Sequence, residues 1–398
     1  MSSGRRRVLF VAEDTTLAQM VRLRVLAGSL DSDRYEVHFA CQRFPDLIFG
    51  NTSFKRWPIY SLPPEKVLAN AEAGKRPYEI STLSKYVEED FRVLEAVRPD
   101  LVVGDLRVSL PISAERSKIP YATLINAYWN SSWTPKSYPL PDHPTVKWFG
   151  KHVASLFFPL ARPWAFRYFG KPINELRRKF GLPTIGNLQE ILTHGTYTLY
   201  PDTPGLIPLP VKRPRDHFLG PVLWSPALPL PQWWPALRAD RPLIYVTLGS
   251  SGNHGLLRRV IEALAGLPAD IAVSTAGKET FPSEKGVYCA PYLPGDKLCE
   301  RASLVICNGG ATTAYQALFA GKPVLGIPSN LDQFLSATAI SESGAGSWVR
   351  GSEIDKLRTL APQWLESSSA RNAARRVQQE FLKYRPDFLF PEFVGSAL

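Results

Sequence analysis

The chain has 398 residues, more than one hydrophobic core ordinarily serves, so two domains are expected. Hydrophobic residues make up 44% and charged residues 21%, which excludes a disordered or fibrous chain. A net charge of +11 suits nucleic acid, anionic lipid or a phosphorylated small molecule as a partner. No nucleic-acid motif accompanies that charge, and Arg5–Arg7, Arg177–Lys179, Lys212–Arg215 and Arg371–Arg376 read as solvated faces.

Met1 to Glu13 starts basic, but its apolar run, Val8–Ala12, is too short for a signal peptide and reads as a first strand. No stretch reaches the about 20 apolar residues that span a bilayer. In the first half, Arg7–Glu13, Tyr35–Cys41, Asp100–Asp105 and Tyr121–Asn126 read as strands, with Leu17–Leu30 and Glu88–Val97 as helices between them. Asp31-Ser32-Asp33 falls between helix and strand and reads as a surface turn. Beyond Tyr128 the pattern loosens. Ser155–Lys171 is aromatic and basic, suited to capping the first core, lining an acceptor pocket or touching a membrane surface.

The proline-rich stretch 225–241 reads as a linker between domains at 1–224 and 242–370. Residues 371–398 are expected to form a C-terminal helix and tail that pack back on the first domain. A second alternating series has Leu243–Gly249, Asp270–Ala276, Val287–Ala290, Leu304–Cys307 and Pro323–Ile327 as strands. Leu256–Leu264, Ala311–Ala320, Gln333–Ser343 and Arg371–Tyr384 are its helices. The expected fold is α/β: two doubly wound Rossmann-like parallel-sheet domains facing a cleft, with ligands beyond the carboxyl ends of the strands.

Cys41, Cys289, Cys299 and Cys307 form no CxxC pair, and the six histidines show no ligand spacing, so no metal site is expected. GxGxxG and Walker loops are absent. The segment richest in chemistry is Leu304–Gln333, LVICNGGATTAYQALFAGKPVLGIPSNLDQ. A hydrophobic strand ends at Asn308, and Gly309 and Gly310 let a ligand approach the backbone. A helix then starts whose free N–H groups suit an anion, with Thr312 and Thr313 as added donors and Gln316 on the face of Thr312. The next strand delivers Asp332-Gln333 to the same sheet edge.

This segment resembles the donor-binding signature of the nucleotide-sugar glycosyltransferases that include the UDP-glucuronosyl, flavonoid and macrolide enzymes. Their opening histidine, phosphate-binding hydroxyl, acidic ribose ligand and Asp-Gln pair correspond to Asn308, Thr313, Gln316 and Asp332-Gln333, with the spacing intact. Tyr245–Gly252, YVTLGSSG, resembles the family's diphosphate loop, which implies contacts from Ser250 and Ser251. Tyr292-Leu293-Pro294 resembles the segment against which the base packs, implicating Tyr292 and Pro294. The resemblance implies the GT-B layout, a first domain that binds acceptor and a second that binds a nucleoside-diphosphate sugar. It also implies no cofactor, the nucleotide sugar being a co-substrate.

Three positions depart from the pattern. Asn308 replaces histidine, Gln316 replaces a ribose-binding glutamate and leaves dTDP beside UDP, and Gln19 stands where the family holds its catalytic histidine. Glutamine accepts no proton, so the general base is sought among Asp14, Glu13 and Asp105, with Asp14 and Asp105 as the chosen pair. Helix capping or side-chain orientation is the structural alternative for each.

The resulting expectation is an inverting, metal-independent transfer of a sugar to a hydroxyl of a small-molecule or lipid-like acceptor. The alternative is a non-catalytic nucleotide-sugar-binding partner protein, and a nucleotide-sugar epimerase fits the Asp-Gln register less well. Nucleic acid is not an expected partner. The expected location is the cytoplasm, with peripheral membrane contact through Ser155–Lys171.

Overall fold

The computed structural model describes residues 4–73, 75–140, 151–279, 281 and 286–398. Side chains are described for these except residues 68, 71, 72, 151–157 and 159. The chain divides into two units. One comprises Met1–Thr134, His143–Val222 and Tyr384–Leu398; the other Pro135–Asp142 and Leu223–Lys383.

The first unit is built on a parallel sheet of seven strands. They are β1 (Arg6–Ala12), β2 (Tyr35–Cys41), β3 (Lys55–Pro58), β4 (Leu101–Asp105), β5 (Tyr121–Leu124), β6 (Tyr197–Tyr200) and β7 (Asp216–Phe218). Their order is β3-β2-β1-β4-β5-β6-β7, with the reversal of winding beside β1. Both faces of β1 are covered. Leu9 and Val11 pack with Val93, Leu94 and Leu110, while Phe10 meets Phe39 and Phe390. A strand buried on both faces is apolar throughout rather than alternating, which is how VLFVA reads. The register pairs Ala12 with Asp105, so Glu13, Asp14 and Asp105 leave the sheet at one edge.

The second unit carries six parallel strands: β8 (Leu243–Thr247), β9 (Asp270–Ser274), β10 (Val287–Ala290), β11 (Leu304–Cys307), β12 (Val324–Gly326) and β13 (Gly346–Trp348). The order is β10-β9-β8-β11-β12-β13. Cys307 pairs with both Thr247 and Gly326, so the loops after β8, β11 and β12 emerge together. The helix Ser368–Phe381 belongs to this unit, where Phe381 packs on Tyr315. The last helix, Pro386–Ala397, belongs to the first unit, where Phe393 meets Tyr197 and His217.

Elements that the sequence pattern does not reveal are short or carry prolines. Strand β3 holds Lys55, Arg56 and Pro58 at a sheet edge. Lys151–Lys179 is one helix of 29 residues that continues through Pro163 and Pro172. Arg177 corrects the expectation of a solvated cluster at 177–179. It is fully buried, donating to the carbonyls of Pro183 and Pro111 and to Glu115. Asp31 does close a turn, its Oδ1 accepting the Asp33 amide at 2.9 Å.

Candidate active site

At the carboxyl edge of the second sheet, three loops are tied together by two amide side chains. After β8, Gly249 has φ of +62°, and after β11, Gly309 has φ of +74°, conformations that favour glycine. A Cβ on Gly309 would also lie 3.0 Å from the Ala337 methyl. Asn308 Oδ1 accepts the Gly310 amide at 3.0 Å, while its Nδ2 lies against Gly249. Gln333 Oε1 accepts the amide and hydroxyl of Ser329 at 2.9 and 3.0 Å; its Nε2 donates to the carbonyl and hydroxyl of Ser251 at 3.3 Å. Gln333 thus clamps the loop after β8 to the loop after β12, one residue beyond the half-buried Asp332 in the first turn of the helix Leu331–Glu342.

Gly310 is the N-cap of the helix Ala311–Phe319 and supplies no side chain to its first amides. Those amides, the half-buried Thr312 and Thr313 and the half-buried Ser250 and Ser251 line one sheet edge. Such an arrangement can stabilise a diphosphate through N–H donors and the positive helix end. Gln316 Nε2 donates to the Trp224 carbonyl, and its Oε1 lies beside Gly295, the residue after the buried Pro294. Tyr292 is exposed, with its hydroxyl end beside Gly277.

His254 was not anticipated. Its Nε2 donates to the Gly249 carbonyl at 2.7 Å, and its buried Nδ1 has no hydrogen-bond partner among the described residues. A histidine five residues past a glycine turn is the signal that identifies it.

At the corresponding edge of the first sheet, Asp14 and Asp105 sit in different surroundings. Asp105 is wholly buried, its two oxygens taken by Arg22 Nη2 at 2.8 Å and Nε at 2.9 Å. Arg22 Nη1 continues to Asn126 at 2.7 Å, and Asn126 to Asp202 at 2.9 Å. Asp14 Oδ2 accepts Arg43 Nε at 2.7 Å, and that arginine is 62% exposed. Gln19 Oε1 accepts the amides of Thr15 and Thr16 at 3.1 and 2.9 Å, closing the capping box of the helix Leu17–Gly28.

Glu13 lies in a separate buried cluster. Tyr86 donates to it at 2.8 Å and Arg107 at 3.3 Å, while Arg107 also holds Asp90 at 3.1 Å. Burial raises the Glu13 carboxyl to about 7, outweighing the pull of Arg107 and the Tyr86 hydrogen bond. The signal for these networks is charge where periodicity asks for an apolar residue. Arg22, for example, sits in the run MVRLRVL.

Of the membrane-facing candidate, residues 155–157 and 159 have side chains outside the described residues. Leu160, Trp164 and Tyr168 are exposed at four-residue intervals, whereas Phe166 is buried. Among the described residues no helix is long and apolar enough to cross a membrane, and no three His, Cys, Asp or Glu side chains form a metal-binding group.

Two parallel-sheet α/β units of this kind make up the GT-B fold. A spinosyn rhamnosyltransferase solved with thymidine diphosphate shares the fold at a TM-score of 0.68 and 19% identity, covering 98% of this chain and 100% of that one. Residues 258–387 match the family described as Erythromycin biosynthesis protein CIII-like, C-terminal domain. The chain is 44% identical over 400 residues to a PGL/p-HBAD biosynthesis glycosyltransferase of Mycobacterium tuberculosis strain H37Ra, covering 99% of this chain and 92% of that protein. It is also 44% identical over 405 residues to a PGL/p-HBAD biosynthesis rhamnosyltransferase of Mycobacterium bovis strain BCG, covering 100% and 89%. A further relative from that strain, 46% identical over 268 residues (67% of this chain, 73% of that protein), is named an inactive PGL/p-HBAD biosynthesis glycosyltransferase. The chain belongs to the family of PGL/p-HBAD biosynthesis glycosyltransferases.

Proposed function

We propose that this glycosyltransferase moves a deoxyhexose such as rhamnose from a dTDP donor to a hydroxyl of a glycolipid-type acceptor, with inversion and without a metal. The observation that carries the nucleotide assignment is Gln316. A glutamate at this position would accept from two ribose hydroxyls, whereas Gln316 commits Nε2 to the Trp224 carbonyl and keeps one acceptor. One acceptor matches a deoxyribose with a single free ring hydroxyl. The neighbour solved with thymidine diphosphate and the relative named a rhamnosyltransferase support the same reading.

The helix N-terminus at Ala311, with Ser250, Ser251, Thr312 and Thr313, stabilises the departing diphosphate, while Asp332 orients the sugar. Asp14 takes the proton of the acceptor hydroxyl. Its Oδ2 is steadied by Arg43, whereas Asp105 is occupied at both oxygens by Arg22 and acts as structure. The protein works in the cytoplasm at a membrane surface, a reading supported by the exposed Leu160, Trp164 and Tyr168 and by buried free thiols at Cys41, Cys299 and Cys307.

Calorimetric titration with dTDP and UDP tests the donor assignment. The wild type should prefer dTDP, and Gln316→Glu should shift the preference towards UDP by about tenfold, the worth of one hydrogen bond to a charged group. A wild type that prefers UDP, or a Gln316→Glu variant with unchanged preference, would contradict it.

A further inference from the structure

The second sheet has a cavity at its other edge. Pro242, Ser303 and Pro323, which immediately precede β8, β11 and β12, border a space of about 520 Å³, within the range of small-molecule sites. Arg301, Lys322, Arg371 and Arg375 line it together with one carboxylate, Glu366. None of the four cations forms an ion pair with a described residue.

Two of them are fixed by neutral partners. Arg301 donates to the carbonyls of Arg238 at 2.5 Å and Arg241 at 3.4 Å, and Arg371 to those of Leu365 at 2.7 Å and Glu366 at 3.3 Å. Carbonyls orient a guanidinium without cancelling its charge. The side chains of Lys322 and Arg375 make no hydrogen bond to a described residue. The helix Ala311–Phe319 ends at this cavity, but a helix C-terminus offsets only about half a charge. Leu267, Pro323 and Leu365 add apolar walls, where a cation is poorly screened. Burial, with the charges of Arg301 and Arg375, holds the Lys322 amine below the usual lysine value, in spite of an opposing influence of Cys299.

We propose that this cavity binds a phosphate-bearing dianion, a phosphate monoester or diphosphate, at a site separate from the donor loops. The planar fork of Arg375 suits two phosphate oxygens and Lys322 supplies a point charge. A soluble phosphate and a lipid headgroup share this chemistry.

The test is acylation of lysines in the full chain with an amine-reactive ester, mapped by mass spectrometry. Inorganic pyrophosphate should slow labelling of Lys322, and sodium chloride at equal ionic strength should not. The protection should persist in Thr313→Ala, which separates this site from the donor loops. Arg375 is exposed, so Arg375→Ala should fold normally. It should raise the pyrophosphate concentration for half-protection about tenfold, the worth of one charge-assisted contact. Vesicles of phosphatidic acid in phosphatidylcholine form the second arm. Protection by vesicles alone assigns a lipid headgroup; protection by pyrophosphate assigns a soluble phosphate. Lys322 labelled as fast with pyrophosphate and with vesicles as with neither, or protection unchanged in Arg375→Ala, would overturn the proposal.

Discussion

The same substitution, aspartate to asparagine, should have opposite consequences at positions 105 and 14. Asp105→Asn keeps the shape of the side chain but removes the charge that faces Arg22, whose side chain is 9% exposed against a wholly buried partner. Both guanidinium bonds, at 2.8 and 2.9 Å, lose their anion, and Asn126 at 2.7 Å supplies only a neutral oxygen. Leaving one member of a buried pair uncompensated costs about 3–5 kcal/mol, which for a unit of this size lowers Tm by about 6–20 °C. Asp14 is itself only 1% exposed, but Asp14→Asn leaves unpaired an arginine that is 62% exposed and hydrated, so no buried charge is stranded and stability should fall by only about 1 kcal/mol. Its rate of transfer should fall about 10²–10⁴-fold, the contribution of a general base. Thermal unfolding reads the first quantity, and steady-state release of nucleoside diphosphate reads the second. If Asp105→Asn keeps its Tm and loses turnover while Asp14→Asn stays active, the two roles have been assigned the wrong way round.

Three further outcomes follow from the geometry. Glu13 binds its proton more tightly folded than unfolded, so its contribution is fully present below pH 4.5 and is lost as pH rises towards 7. Denaturant titrations should therefore show the stability of the wild type, relative to Glu13→Gln, declining by about 3 kcal/mol across that window; an unchanged difference would refute the assignment. Asp332→Ala should cripple transfer while binding of dTDP, measured by calorimetry, stays near the wild-type value. With anionic vesicles, Trp164→Ala should weaken cosedimentation, and wild-type binding should weaken as salt brings the Debye length to about 8 Å.

Much of the fold is legible in the sequence because its central strands are buried on both faces. VLFVA, LVVGD, LIYVT and LVIC read as continuous apolar runs, and the intervals between them hold helices. The donor edge is legible for a related reason. Gly249 and Gly309 need positive φ at strand ends, and that requirement leaves a visible mark in composition. The short strands β3, β6, β7 and β13 leave a weaker mark, since three or four residues carry little periodicity. Least legible are the buried charges. Arg22 finds Asp105 83 positions away and Arg107 finds Glu13 94 positions away, pairings that only the folded register creates. The role of Gln19 is a local matter, a capping box whose glutamine sits at N3, and it explains why that side chain points at the Thr15 and Thr16 amides.

Transfer from a dTDP-deoxyhexose with Asp14 as base can be followed in a single reaction. Purified protein is incubated with dTDP-rhamnose and a panel of lipid-linked hydroxyl acceptors, and donor consumption, product and anomeric configuration are followed together by NMR. The wild type should consume donor only when acceptor is present and should form the glycoside with inverted configuration, while Asp14→Asn binds donor normally and turns over about 10²–10⁴-fold more slowly. Donor bound without turnover across the panel, a product of retained configuration, or an Asp14→Asn variant as fast as the wild type would contradict the account.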